Sequence, residues 1–113
     1  MRCEHCQFNT KIVDRFKNEI PSAELLDNLT NVFKVFSDNT RIKIVWNLFD
    51  RELCVAEISQ KTEMSQSAIS HQLKILKDAN LIKARRDGKN TFYSLSDEHV
   101  KRIIEQVMIH ISE

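Results

Sequence analysis

Four side chains close to the C-terminal end are of types that ligate metal ions: Asp97, His99, His110 and Glu113. Two imidazoles and two carboxylates make a closed tetrahedral donor set suited to zinc or cobalt. His99 and His110 stand eleven residues apart. On a helix that is about three turns, so the two share a face yet lie roughly 16 Å apart along the axis. An ion with bonds of about 2 Å cannot touch both ends of one helix. Two such helices packed antiparallel across a two-fold axis remove the difficulty. Asp97 and His99 of one chain then meet His110 and Glu113 of the partner subunit, and symmetry gives two identical sites per dimer. Taken singly, each residue has a plainer role. Asp97 suits a first helical turn, the histidines suit an interface, and Glu113 is the last residue of the sequence. Four protein ligands leave no open position for a substrate, and no Gly-rich phosphate loop or nucleophile dyad is visible, so an enzyme is not expected.

The cysteines form a second group. Cys3-Glu4-His5-Cys6 sets two thiolates around an imidazole, and Cys54 stands apart with Glu57 three residues on. A Cys-x-x-Cys supplies half of a tetrahedral site, so Cys3, His5 and Cys6 need partners, and Cys54 with Glu57 are candidates. The plainer alternatives are a small buried hydrophobe for Cys54 and an unstructured arm for the N-terminus. A redox switch through the same thiols is a further alternative.

These residues must be carried by a small framework. With 113 residues there is room for one modest core, and a single Gly and a single Pro point to a mainly helical chain. Three Cys, an odd number, cannot close a disulfide framework, which points to a reducing cytoplasm. No run approaches a membrane span, and MRCEHCQFNT offers no apolar core for a signal peptide, so no membrane partner is expected. The net charge of +1 carries no message, but its distribution does. Lys74, Lys77, Lys83, Arg85, Arg86 and Lys89 are opposed only by Asp78 and Asp87, a local basic strip suited to DNA.

Periodicity places the elements. Phe8, Ile12, Phe16 and Ile20 predict an amphipathic helix ending before Pro21. Ser22 is a candidate N-cap for a second helix bearing Leu25, Leu26, Leu29, Val32, Phe33 and Phe36. Ile42, Ile44, Val45, Leu48 and Phe49 mark a third. Two short helices follow, about Val55 to Thr62 and, after a turn at Glu63 and Met64, from the cap Ser65 to about Ala79. Ile69, Leu73 and Leu76 form the inner stripe of the latter. LIKARRD and NTFYSLS around Asp87-Gly88 predict a β-hairpin, and Ser96 and Asp97 open a last helix. The expected fold is therefore mostly α with a β-hairpin wing: a winged helix-turn-helix homodimer in the order α-α-α-α-α-β-β-α. All of 1–113 forms one domain, with an arm and helix over 1–20, the helix-turn-helix over 54–79, the wing over 81–95 and the dimerisation and metal helix over 97–113.

A major-groove reader needs short polar side chains at its N-terminal end, where the backbone can approach the bases. Gln66, Ser67, Ser70 and His71 meet that need, with Lys74 and Lys77 better placed for phosphates. Arg85, Arg86 and Lys89 sit near the hairpin tip, within reach of a phosphate backbone or minor groove. Double-stranded DNA is the expected partner, and no small organic substrate is expected.

FKVFSDNTRIKIVWNLFDRELCVAEIS and SQSAISHQLKILKDANLIKARRDGKNTFYSLSDEHV resemble the signature helices, recognition helix and wing of the ArsR/SmtB family of metalloregulatory repressors. The Asp-x-His, ten residues, His-x-x-Glu pattern is similar to the C-terminal-helix site of its zinc-sensing members, which implies Zn(II) at Asp97, His99, His110 and Glu113. Thiolate-sensing relatives carry Cys-Val-Cys where this chain has Cys54-Val55-Ala56, which departs from an arsenite or complete cadmium/lead site. The resemblance implies a repressor that leaves DNA on binding Zn(II), or a similar ion such as Cd(II), Pb(II) or Co(II), and so releases efflux or sequestration genes. The alternative it leaves open is a cadmium/lead or redox sensor built on Cys3, Cys6 and Cys54.

Overall fold

The computed structural model describes residues 19–113. Its elements are α1 (Ala23–Phe36), α2 (Asn39–Asn47), β1 (Leu53–Cys54), α3 (Val55–Thr62), α4 (Gln66–Asp78), β2 (Ile82–Asp87), β3 (Asn90–Leu95) and α5 (Glu98–Ser112). The chain parts into two units, Met1–Thr30 and Asn31–Glu113, and every element from α2 onward belongs to the second. The helix expected over Phe8, Ile12 and Phe16 lies outside the described residues. Ile20, expected to be its last apolar position, is non-helical and 85% exposed.

Caps set most helix boundaries. Ser22 Oγ accepts from Leu25 N–H at 3.2 Å, and Asp38 Oδ2 accepts from Arg41 N–H at 3.0 Å. Ser65 Oγ accepts from Ala68 N–H at 3.1 Å and starts α4. Each removes one of the amide donors that a helix start leaves without a partner. The turn between α3 and α4 is made by Glu63 in the left-handed region, φ 57°, which reverses the chain without a glycine.

The core of the second unit is a layer of Ile44 and Val45 from α2, Leu48 at its C-cap, Ile58 from α3, and Ile69, Leu73 and Leu76 from α4. Leu81 and Ile82 from the start of the wing and Val100 and Ile104 from α5 close it. The expected inner stripe of α4 is therefore its buried one. Arg41 ties the helices together from the rim: its Nε donates to the Val35 carbonyl at 2.7 Å and its Nη1 to Gln72 Oε1 at 3.1 Å.

The sheet is antiparallel, in the order β1-β3-β2. Two features differ from expectation. First, β1 is an added two-residue strand, Leu53 opposite Tyr93 and Cys54 opposite Phe92. Two residues are too few to show a period, so nothing in the local pattern announced it. Second, Asp87 pairs with Asn90, which makes Gly88-Lys89 the turn rather than Asp87-Gly88. Only Gly88 has a positive φ there, +64°. A two-residue loop of the II′ kind wants glycine first, and that preference outweighs the Asp-Gly pattern.

Among the described residues, much apolar surface is exposed. Leu25, Leu29 and Phe33 on α1 are 41%, 51% and 60% exposed, and Val107, Met108 and Ile111 on α5 are 51%, 42% and 67% exposed. Within the second unit, the end of α1 adds Val32, Val35 and Phe36 to the core.

Candidate nucleic-acid interface and metal centre

Helix α4 presents one face to the core and the other to solvent. Gln66, Ser67, Ser70, His71 and Lys74 are all exposed. The first four fall in its first two turns, where short side chains let a helix approach a groove floor. Lys74 is paired with Asp78 at 3.2 Å along the helix, an exposed pair that a phosphate can readily displace.

The hairpin divides its side chains by alternation, since successive residues point to opposite faces. Ile82, Ala84 and Arg86 share a face with Thr91, Tyr93 and Leu95, the face turned to the core and to α4. Between this face and the helix lies a groove of about 250 Å³ lined by Ser70, Leu73, Lys74, Lys77, Asp78 and Tyr93. Tyr93 was not singled out by the sequence reasoning. Alternation of NTFYSL, with Tyr93 in step with Leu95, was the signal available.

Lys83 and Arg85 stand on the opposite face with Phe92 and Ser94. Arg85 is engaged there: its Nε and Nη2 donate to Glu52 Oε2 and Oε1 at 3.1 and 2.9 Å. The guanidinium holds the Glu52 carboxyl below the usual carboxylate range. Glu52 was also missed, and no local pattern could reveal it, because its partner is 33 residues away. Arg86 and Lys89 are exposed and make no ion pair among the described residues.

On α5, Asp97 is the N-cap. Its Oδ1 accepts from the amides of His99 and Val100 at 2.9 and 3.3 Å. His99 Nδ1 stands 3.4 Å from the same oxygen. The cap thereby holds Asp97 and His99 together at one end of the helix, while His110 and Glu113 lie at the other, exposed end. At 100° per residue, His99, Ile103, Val107 and His110 form one stripe beside the buried stripe of Val100 and Ile104. Among the described residues of one chain, no three His, Cys, Asp or Glu side chains gather closely enough to hold an ion.

Cys3, His5 and Cys6 lie outside the described residues. Cys54 is half-buried and is the N-cap residue of α3, and Glu57 Oε1 accepts its backbone N–H at 3.0 Å. That bond, with one from the Cys54 thiol, keeps the Glu57 carboxyl below its ordinary range. Glu57 therefore already serves as the returning half of a capping box.

A capped, polar-faced helix following a short helix and tight turn, beside a cation-bearing hairpin, defines a winged helix-turn-helix, a DNA-binding class. The assignment can be carried further. Residues 38–84 match the bacterial regulatory protein, arsR family. The chain is 38% identical over 112 residues to a cadmium resistance transcriptional regulatory protein CadC homolog of Staphylococcus aureus, covering 98% of this chain and 92% of that one. It is 32% identical over 111 residues to a transcriptional repressor SmtB homolog of Synechocystis, covering 98% and 84%. Among solved structures it is similar to a homodimeric winged helix-turn-helix DNA-binding domain from Mycobacterium bovis. That match has a TM-score of 0.76 and 32% identity, covering 80% of this chain and 84% of that one. The chain belongs to the arsR family, whose members are transcriptional regulators and not enzymes.

Proposed function

We propose that this protein is a metal-responsive repressor that binds operator DNA as a homodimer when metal-free and dissociates when Zn(II) or a similar divalent ion binds. One observation carries the reading. Asp97 with His99, and His110 with Glu113, are two exposed half-sites at opposite ends of a single helix, edged by Ile103 and Val107, which are exposed among the described residues. An antiparallel partner helix that covers the apolar strip brings complementary halves together. The donors fit such an ion, because the described hydrogen bonds of Asp97 all fall on Oδ1 and none on Oδ2. The homodimeric state of the similar Mycobacterium bovis domain supports the assembly. A protein that acts on operator DNA works in the cytoplasm.

Gln66, Ser67, Ser70 and His71 read bases, and Lys74, Arg86 and Lys89 meet the phosphate backbone. Two recognition helices spaced about 34 Å apart fit successive major grooves. An ion that fixes the two α5 helices in another arrangement opposes DNA through one reciprocal coupling energy, typically about 1–3 kcal/mol. The test is operator affinity measured with and without zinc. Loss of affinity on adding zinc, reversed by a chelator, is expected, and unchanged affinity would sink the reading.

A second reading has one observation in its favour, the 38% identity to a cadmium resistance regulator. In it Cys3, Cys6 and Cys54, with His5 and Glu57, hold Cd(II) or Pb(II), or act as a redox switch. Cadmium–thiolate absorption lost in Cys54→Ser supports it; absorption unchanged in that variant removes Cys54 from the site.

A further inference from the structure

Arg85 is the most fully engaged cation of the wing. Two parallel N–H donors, 3.1 and 2.9 Å from the two oxygens of Glu52, make a fork of the kind only arginine offers a carboxylate. The guanidinium carbon also lies 5.2 Å from the centre of the Phe92 ring, its cross-strand neighbour. Nη1 stands 3.8 Å from Asp87 Oδ2. An isolated exposed ion pair is worth little, but bidentate geometry with ring support is the exception. The location matters as much as the strength. Glu52 immediately precedes β1, and β1 pairs with β3, so the fork joins the outer wing strand to the loop before α3.

We propose that Arg85 is a positioning residue. With Glu52 it props the wing from the face turned away from α4, setting the angle at which Arg86 and Lys89 meet the DNA backbone, and it makes no phosphate contact itself. The inference rests on the DNA-binding reading of the wing and narrows it. A phosphate brought to Arg85 would have to displace Glu52 or lie beside its negative charge, whereas Arg86 has neither obstacle. Arginine at adjacent positions of one strand thus does two jobs, because alternation sends the two side chains to opposite faces.

The experiment uses the intact protein and a random-sequence duplex of about 30 base pairs, whose binding is governed by phosphates. Affinity is measured across a potassium chloride series for wild type, Arg85→Gln, Arg86→Gln, Glu52→Gln and the charge-swapped pair Glu52→Arg with Arg85→Glu. Hydrogen exchange of the β2 and β3 amides is followed without DNA. Each phosphate contact contributes about 0.9 to the slope of log affinity against log salt. Arg86→Gln should lower that slope by roughly 1.8 per dimer, one contact per protomer. Arg85→Gln and Glu52→Gln should weaken binding several-fold with the slope unchanged, and both should speed wing exchange. The swapped pair should restore slow exchange and affinity together. A slope that falls in Arg85→Gln as it does in Arg86→Gln overturns the proposal. So does tighter binding by Glu52→Gln, which would mean that Arg85 turns to phosphate once released. If no form of the protein binds duplex, the DNA-binding reading fails, and wing exchange alone decides the prop: unchanged exchange in both single variants refutes it.

Discussion

Lys101 Nζ on α5 stands 2.7 Å from Asp50 Oδ2, at the bend that follows α2, and 5.9 Å from the centre of the Phe49 ring. The lysine side chain is only 22% exposed, so its stem is packed while its charge is answered. Asp50 itself sits in the left-handed region, φ 58°, which turns its carboxylate toward α5. The start of the helix that carries Asp97 and His99 is thereby fastened to the helices that lead into the reading head.

Replacing this lysine tests the fastening. The Asp50 carboxylate raises the Lys101 ammonium above its ordinary 10.5. A raised folded-state value means the contribution is complete below about pH 10.5 and fades as pH climbs through the higher value. Lys101→Met keeps the stem over Phe49 and removes the charge. Its Tm is expected to lie a few degrees below wild type at pH 7, with the gap narrowing only above pH 10.5. Thermal melts by circular dichroism at pH 7, 9 and 11 check this, and a gap that closes by pH 9 contradicts it.

Glu57 makes the opposite case. Its carboxyl is held below 4.5, so its contribution is present above that value and is lost as pH falls through the lower one. Glu57→Ala removes the acceptor for Cys54 N–H and should lower Tm at neutral pH in metal-free protein. The difference from wild type should shrink in acid, as pH falls from 4.5 through the lower folded-state value. If Glu57→Ala melts like wild type without metal but loses cadmium–thiolate absorption, the residue is a ligand and not a cap.

How far the sequence carried the fold depends on the range of the interaction. Ser65, Ile69, Leu73 and Leu76 announce α4 because cap and stripe are local and repeat with the helix turn. Asp87-Gly88 announced a hairpin but misplaced its turn by one residue, since pairing register is settled by the whole ladder and by where glycine relieves φ. Strand β1 and the pairs Glu52–Arg85 and Asp50–Lys101 were invisible, because each joins positions far apart through tertiary approach alone. On the candidate site, composition and spacing nominated Asp97, His99, His110 and Glu113, the set carried into the proposed function. That Asp97 would also cap α5 follows from its place before the helix. Which wing arginine faces α4 needed the strand register.

The cap of the recognition helix gives a stability prediction. Ser65→Ala deprives Ala68 N–H of its acceptor and should cost about 0.5–2 kcal/mol. Leu73→Ala, in the fully buried stripe of the same helix, should cost about 2–5 kcal/mol. Urea unfolding with an unchanged slope and a lower midpoint is the expected signature. A Leu73→Ala midpoint no lower than that of Ser65→Ala would mean that α4 is held by its ends and not by its core face.

The inter-subunit arrangement predicts complementation between damaged chains. A chain carrying Asp97→Ala and His99→Ala should bind no zinc as a homodimer at this site, and neither should one carrying His110→Ala and Glu113→Ala. In a mixed dimer the first chain still offers His110 and Glu113, and the second still offers Asp97 and His99. One intact site is therefore rebuilt, and the other loses all four ligands. Mixing the two chains, exchanging subunits and titrating zinc should return one ion per mixed dimer, half the wild-type capacity. A site formed within one chain could never be restored in this way, because each chain would still lack half of its own ligands. Zinc binding that stays absent after verified subunit exchange would refute the antiparallel pairing, whereas full binding by either damaged homodimer would place the ion elsewhere.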